Sequence, residues 1–244
     1  MWDIVDSFYK AFGFELEIRL SFHDPENMSA YLGTALLWEE AENALRAIAD
    51  DRKVKYKEVK GEAAFYGPKI DFMTHDSLGR EWQVATIQLD VNMPDRFDLS
   101  CVNEQGEKER IVMIHCAIMG SIERFMSILI EHYAGVFPVW LSPVQVSVLP
   151  ISDNQLELAD TVWKALTKAG IRAEVNRDSK TLGAKIREST LQKVPFMVII
   201  GEKEQQASGI DVVVSVRSRD SKDGGTQKLV DFISTVRKLI ETYQ

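Results

Sequence analysis

GEAAFYGPKIDFMTHDSLGREWQVATIQLDV, residues 61–91, carries the reading on which the fold turns. Two runs rich in apolar and β-branched residues, KIDFMTHD and REWQVATIQLDV, are separated by Ser77-Leu78-Gly79. A short break containing glycine predicts a hairpin, so the runs are expected to pair as antiparallel strands. Gly67-Pro68 marks an earlier turn between Tyr66 and Lys69, one able to place a phenol and an ammonium near one pocket wall. On pattern alone, a core aromatic and a solvent lysine account for that pair. Strict alternation along EWQVATIQLD puts Gln83, Ala85, Ile87 and Leu89 on one face. Trp82, Val84, Thr86 and Gln88 take the other. Polar side chains are therefore expected on both faces, and a buried glutamine must be hydrogen-bonded to protein or ligand.

Upstream, a short helix is expected at about 2–11 and a strand at about 13–20, followed by a loop, SFHDPENMSAYLG. LLWEEAENALRAIADD has Leu37, Ala41, Ala44, Leu45 and Ile48 at helical spacing, one stripe facing a core. Downstream of a strand at YKEV and the central hairpin, RIVMIHCAIM reads as a buried strand and SIERFMSILIEHYAG as a helix. The strand turns at Gly120, and Ser121 is a natural N-cap for the helix. Backbone N–H groups at such a start attract anions. Arg124 in the first turn opposes the helix dipole. It suits a phosphate or planar ring there, because guanidinium both forks onto oxygens and stacks. From spacing alone, a surface arginine paired with Glu123 or another carboxylate is the plainer reading.

GVFPVWLSP, with Pro138 and Pro143, breaks the chain into 1–141 and 142–244. Beyond it, strands (QVSVLPI, IRAEVN, PFMVIIG, DVVVSVR) alternate with helices (DNQLELADTVWKALTKAG, TLGAKIRESTLQKV, TQKLVDFISTVRKLIETY). That rhythm predicts an α/β layer, largely parallel with one reversed strand. The first part reads instead as an α+β antiparallel sheet.

The 244 residues are 45% hydrophobic and 27% charged, ordinary for a globular protein. No apolar run approaches ~18 residues, so no membrane span is expected. The start has no signal-peptide pattern. Two cysteines without a pairing motif, Cys101 and Cys116, suit a reducing, cytoplasmic setting. Net charge is −8, with 14 Lys+Arg against 24 Asp+Glu in 1–141 and 15 against 13 in 142–244. Arg177, Lys180, Lys185, Arg187 and Lys193 form a basic strip that could face phosphates, with a solvated helix face as the bland alternative. There is no Walker A, GxGxxG, HExxH or nucleophile elbow. His23, His75, His115 and His132 have no metal-ligand spacing, and a lone strand histidine such as His115 is ordinarily a core residue.

AFYGPKIDF, REWQVATIQLD, PDRFDL, MIHCAIMGSIERF, LIEHYAG and FPVWLSPVQV follow one another in an order and spacing that resembles the bacterial threonyl-tRNA synthetases. The resemblance implies a partial class II catalytic domain over 1–141. A three-layer α/β anticodon-binding domain with a mixed sheet follows over 142–244. GSIERF resembles the third class II motif. It implies that Arg124 holds ATP through the adenine ring, that Gln88 also contacts ATP, and that Ser121 lines the aminoacyl site. Tyr66 and Lys69 look like residues beside the threonyl adenylate, and Gln83, Thr86 and Gln88 like the pocket floor. His115 matches one of three ligands to a zinc ion (Zn2+) that selects threonine over valine by its hydroxyl. ATP is used with Mg2+.

GAKIRESTLQKVPFMVIIGEKE resembles the anticodon reader. It implies that Arg187, Lys193, Glu204 and Arg217 contact anticodon bases of threonine tRNA. Ser179 departs from the commoner asparagine, Cys116 stands where many relatives have arginine, and Val84-Ala85 replaces a Cys-Gly pair. Nothing here resembles the first two class II motifs, the editing domain, or the other two zinc ligands, a Cys and a His. The intact family forms homodimers. The expected function is thus a threonine–tRNA ligase fragment inactive by itself. The alternative is a non-catalytic tRNA-binding or regulatory paralogue, which would have less need of the pocket residues.

Overall fold

Hydrophobic alternation in the first half closes into one five-stranded sheet. The computed structural model describes residues 1–90, 92–206, 212–220 and 223–244. Val91 and Asp211, both read as strand residues, lie outside them. The chain divides into two compact units, Met1–His132 and Tyr133–Gln244.

In the first unit, α1 (Trp2–Ala11), β1 (Glu17–Phe22) and α2 (Ala35–Asp51) precede β2 (Tyr56–Lys60), β3 (Lys69–His75) and β4 (Glu81–Asp90). A one-turn helix α3 (Met93–Arg96) and a small hairpin, β5 (Ser100–Val102) with β6 (Lys108–Arg110), follow. β7 (Met113–Ala117) and α4 (Ile122–Tyr133) end the unit. The sheet order is β2-β1-β3-β4-β7. All pairings are antiparallel except β1 with β2, which run parallel. The expected all-antiparallel sheet is therefore mixed: α2 carries the chain back along its own length between β1 and β2, as a crossover must.

The buried stripe of α2 is Trp38, Ala41, Leu45 and Ala49, with Glu42. Ala44 and Ile48, expected inside, are exposed. Trp38 and His23 set this rotation. The Trp38 indole N–H donates to Leu32 O at 2.7 Å, and Glu42 meets His23 Nδ1 at 2.6 Å. Thr34 caps the helix, accepting from Leu37 N at 3.3 Å. α1 and α4 join through aromatic edges: Phe125 sits 5.1 Å from Phe12 and 5.5 Å from Phe8, between ring centroids.

In the second unit, β8 (Val146–Pro150), α5 (Leu156–Lys168), β9 (Ala173–Val175) and α6 (Leu182–Leu191) lead to β10 (Phe196–Ile200). A short α7 (Glu202–Gln206), β11 (Val213–Ser218), β12 (Asp223–Lys228) and α8 (Leu229–Glu241) complete it. Sheet order is β12-β11-β10-β8-β9, with β8 parallel to β9 and β10, and β11 antiparallel to both its neighbours. Val146, Val148, Val198, Ile200, Val214 and Val216 alternate onto one face and meet Ala159, Val162 and Leu166 of α5 and Phe232 and Val236 of α8. α6 packs on β8 from the other side, where Ser147 and Leu149 are buried. Residues 226–228, read as the start of the last helix, instead end β12, with Thr226 opposite Ser215. Pairing there satisfies the exposed edge of β11, which outweighs the helical signal of three residues.

The second unit begins at Tyr133, ahead of the break expected at 142, so Pro138 and its neighbours belong to it. Val139 lies in that unit's core. Arg172 Nη2 donates to Trp140 O at 2.6 Å, and Gln145 Nε2 to Val139 O at 2.8 Å.

Candidate functional site

Register places the polar residues of the first sheet in rows. Arg19 lies opposite Asp71, and Ser21 opposite Lys69. Asp71 then faces Thr86, and Lys69 faces Gln88. Thr86 faces Ala117, and Gln88 faces His115. Because side chains alternate, these form one polar face. Gln83 joins it through a β-bulge, where the register shifts between Phe72 and Met73. The extra residue flips the parity of β4, so Gln83 shares the face of Thr86 and Gln88 instead of the opposite one expected from strict alternation. Its Nε2 donates to Asp71 Oδ1 at 2.7 Å.

Tyr66, Lys69, Gln83, Thr86, Gln88 and His115 are thus brought together. Tyr66 donates its phenol to Gln88 Oε1. Its ring centroid lies 5.3 Å from that of His115. Burial, and then the charge of Asp90, push the Tyr66 phenol above its ordinary value, so it stays a donor across neutral pH. Lys69 Nζ lies 3.4 Å from Asp71 Oδ2, and the lysine side chain is only 13% exposed. The solvent-lysine reading fails for that reason. The Thr86 hydroxyl is buried with no hydrogen-bond partner among the described residues.

His115 is half-exposed, and its Nε2 meets Asp90 Oδ2 at 2.9 Å. Asp90 is fully buried and its other oxygen accepts from Asn92 N and Met93 N. An acceptor-only partner places the proton on Nε2 and leaves the Nδ1 lone pair free in the neutral ring. Among the described residues no group of three His, Cys, Asp or Glu could hold a metal ion.

Ser121 and Arg124 sit at the start of α4. Ser121 Oγ accepts from Arg124 N at 3.2 Å. The Arg124 guanidinium donates to Gln83 O at 3.2 Å and lies 5.8 Å from the Trp82 ring centroid. It is held over β4 and not on Glu123. Tyr9 of α1, unsuspected from sequence, contacts Val84 O at 2.9 Å and Ile118 O at 2.8 Å. It ties the bulge to the turn before Ser121. Asp71, Asp90 and Arg19 were missed as well. The available signal was an acidic residue inside a run that alternation buries, as in KIDF and QLDV.

The second unit carries a groove of about 690 Å³ lined by Ser152, Gln155, Gly201, Glu204, Ser215, Arg217 and Thr226, among others. Glu204 and Arg217 therefore share a site. Arg187 does not reach it; it lines a separate shallow groove on α6 with Lys180 and Glu188. Lys193 does not either: it occupies a left-handed position (φ 60°) after α6, and its ammonium donates to Ala134 O. The basic strip is largely neutralised. Arg177 pairs with Asp160, and Lys180 with Asp178 and Glu188. Lys185 is buried, donating to Pro150 O at 2.9 Å and Asn176 O at 3.3 Å.

Glu204 Oε2 accepts from Gly201 N at 2.9 Å, and Oε1 from Ser215 Oγ at 2.6 Å. Burial raises its carboxyl, but the Ser215 hydroxyl and backbone N–H groups outweigh this and hold it below the ordinary glutamate value. A depressed folded-state value adds stability that is complete above the unfolded value of about 4.3 and lost as pH falls through the folded one. Ser215→Ala is expected to shrink that acid-labile part. The stability difference between the variant and the parent should narrow between about pH 7 and about pH 3 in hydrogen exchange of β10 and β11.

Residues 1–133 match the family model described as tRNA synthetase class II core domain (G, H, P, S and T), and residues 145–239 match an anticodon binding domain. The chain is 50% identical over 240 residues to a threonine–tRNA ligase of Clostridioides difficile. It is 48% identical over 238 residues to one of Acetivibrio thermocellus. Each alignment covers 98% of this chain and 36% of the relative, so the chain spans about a third of the length of the curated relatives it matches. The crystal structure of the RNA binding domain of threonyl-tRNA synthetase from Cryptosporidium parvum superposes with a TM-score of 0.87 at 37% identity, covering 98% of this chain and 58% of that one. A putative threonyl-tRNA synthetase from Aeropyrum pernix superposes at 0.73 with 28% identity, over 98% and 59% of the two chains. A core-domain match over more than half its length, followed by an anticodon-binding domain, shows that this chain belongs to the class II tRNA synthetases.

Proposed function

We propose that this chain is the C-terminal part of a threonine–tRNA ligase, with 1–141 contributing one wall of the aminoacyl-adenylate site and 142–244 reading the anticodon of threonine tRNA. The observation that carries it is the convergence of Tyr66, Lys69, Gln83, Thr86, Gln88 and His115 on one sheet face, beside Arg124 at a helix start. Each has a role suited to its atoms. Lys69 supplies a fixed positive charge where an adenylate phosphate would lie. Arg124 offers a planar guanidinium to the adenine ring of ATP, and Gln88, its Oε1 taken by Tyr66, offers an amide N–H. Ser121, at the same helix start, borders the aminoacyl group. ATP would arrive with Mg2+.

His115, oriented by Asp90, suits one ligand position of a zinc ion, and the other ligands would come from outside this chain. Such an ion would supply a Lewis-acid contact favouring an amino acid that bears a hydroxyl. In the second unit, Glu204 and Arg217, which line one groove, would meet base edges, while Arg187 and Lys193 would touch the tRNA elsewhere. The two exposed cysteines fit a cytoplasmic setting, and no helix among the described residues is long and apolar enough to cross a membrane. The intact protein is read as a homodimer.

The test is threonine-dependent ATP–pyrophosphate exchange by this chain, with zinc and magnesium present and serine and valine as controls, alongside filter binding of threonine tRNA. No exchange above background is expected, because one metal ligand and one ATP-binding arginine do not complete a site. Threonine tRNA should bind, and a substituted anticodon base should weaken binding about tenfold, or ~1.4 kcal/mol. Robust exchange would overturn the incomplete site. Equal binding of every tRNA would overturn the anticodon reading.

A further inference from the structure

Asp71 is an enclosed carboxyl group at the centre of the polar face. It is fully buried, and its two oxygens together face four donors. Ser21 Oγ donates to Oδ2 at 2.6 Å, and Gln83 Nε2 to Oδ1 at 2.7 Å. Lys69 Nζ lies 3.4 Å and Arg19 Nη2 3.5 Å from Oδ2. Burying a carboxyl group is costly unless donors surround it, and here all of them come from other positions of one sheet face. Two of those donors, Lys69 and Gln83, belong to the proposed adenylate wall.

We propose that Asp71 is the positioning residue of this site, fixing which atoms Gln83 and Lys69 present to an aminoacyl adenylate. This rests on the reading of the face as a synthetase pocket. For Gln83 the logic is one of valence. A carboxylate offers only acceptors, so the amide must turn its Nε2 toward Asp71. The carbonyl oxygen is then left as the outward group, an acceptor suited to a substrate ammonium or hydroxyl. Gln88 is set the opposite way: Tyr66 occupies its carbonyl, so its Nε2 faces out as a donor. One glutamine thus offers an acceptor and the other a donor, and Asp71 sets the first. The bulge in β4 is what brings Gln83 within reach. Lys69 lies two residues before Asp71 on the same strand, so both side chains leave the same face. An unanchored lysine carries its ammonium to water along a flexible stem. The Asp71 contact keeps it on the sheet.

Asp71→Asn and Asp71→Glu test this in the 244-residue chain, without requiring catalysis. The readouts are the acylation rate of Lys69 by acetic anhydride, followed by peptide mass, and the Gln83 side-chain amide signals in NMR. Asp71→Asn should raise Lys69 acylation several-fold over other lysines and remove the hydrogen-bond coupling between Gln83 Nε2 and the residue-71 carboxyl carbon. Backbone amide protection of β3 and β4 should persist. Asp71→Glu should restore part of both. Unchanged Lys69 reactivity and Gln83 signals in a folded Asp71→Asn chain would overturn the proposal. Should that variant not fold, the coupling in the unsubstituted chain decides: its presence supports the positioning role, and its absence overturns it. Failure of the synthetase reading shows separately, in tRNA binding, which these measurements do not touch.

Discussion

Gly67→Ala is expected to destabilise the first unit by about 3–5 kcal/mol, enough to unseat the turn that carries Tyr66. A Cβ at this position would lie 1.7 Å from Leu89 O and 2.9 Å from Leu89 C, both backbone atoms of β4. Neither can swing aside as a side-chain end would. The approach is enforced from both sides, since Leu89 N donates to Pro68 O at 3.1 Å and Gly67 pairs with Ala64 in an isolated bridge. The turn must therefore lift, and Tyr66 leaves Gln88 with it. Amide hydrogen exchange should show protection falling along β3 and β4, with loss of the Tyr66–His115 ring contact in NMR. Gly183→Ala provides a contrast of opposite sign. That glycine lies inside α6 with open space where Cβ would stand, so alanine should stabilise α6 by about 0.5–1 kcal/mol. A Gly67→Ala chain as stable as the parent would mean the turn does not pack on β4 as described.

Asp90→Ala should cost a comparable ~3 kcal/mol, for an electrostatic reason. It strips the acceptor from Asn92 N, Met93 N and His115 Nε2 together. Asn92 also holds Tyr66 O through its Nδ2 at 2.8 Å, so the loss spreads to the same turn. Asp90→Asn separates fold from orientation. Its remaining oxygen can still serve the two backbone donors, so the stability loss should fall to about 1 kcal/mol. Its amide N–H, however, faces His115 and forces Nε2 to become the acceptor. Nitrogen NMR of the neutral ring should then report the proton on Nδ1, the atom otherwise free for a ligand. A proton remaining on Nε2 would show that Asp90 does not set the tautomer.

Helix α2 shows why part of this architecture was legible and part was not. Its span follows from local signals, with Thr34 as cap and apolar residues at helical spacing. Its buried face does not, because Trp38 and Glu42 turn inward to meet Leu32 O and His23, partners set by the surrounding loop and β1. The same division runs through the site. GSIERF reads as a strand-to-helix turn from glycine and serine alone. Gln83 was assigned to the wrong face because a bulge leaves no mark in a strand's pattern and reverses parity for every residue beyond it. The basic strip around Arg187 was legible only as a row of charges, because charges in sequence carry no partners. In the fold, Lys185 is buried and Arg177 and Lys180 are paired.

The sequence by itself determined the central hairpin, the approximate spans of the long helices and the family, since periodicity, turn residues and motif order are local properties of the chain. Only the tertiary structure decided that β1 and β2 run parallel, that Gln83 joins Thr86 and Gln88, and that Asp71 and Asp90 anchor the polar face. It also separated Lys193 and Arg187 from the Glu204–Arg217 groove. Those outcomes depend on which strand lies beside which and on where buried donors find acceptors. Both are fixed by contacts between residues far apart in the chain, and no local spacing encodes them.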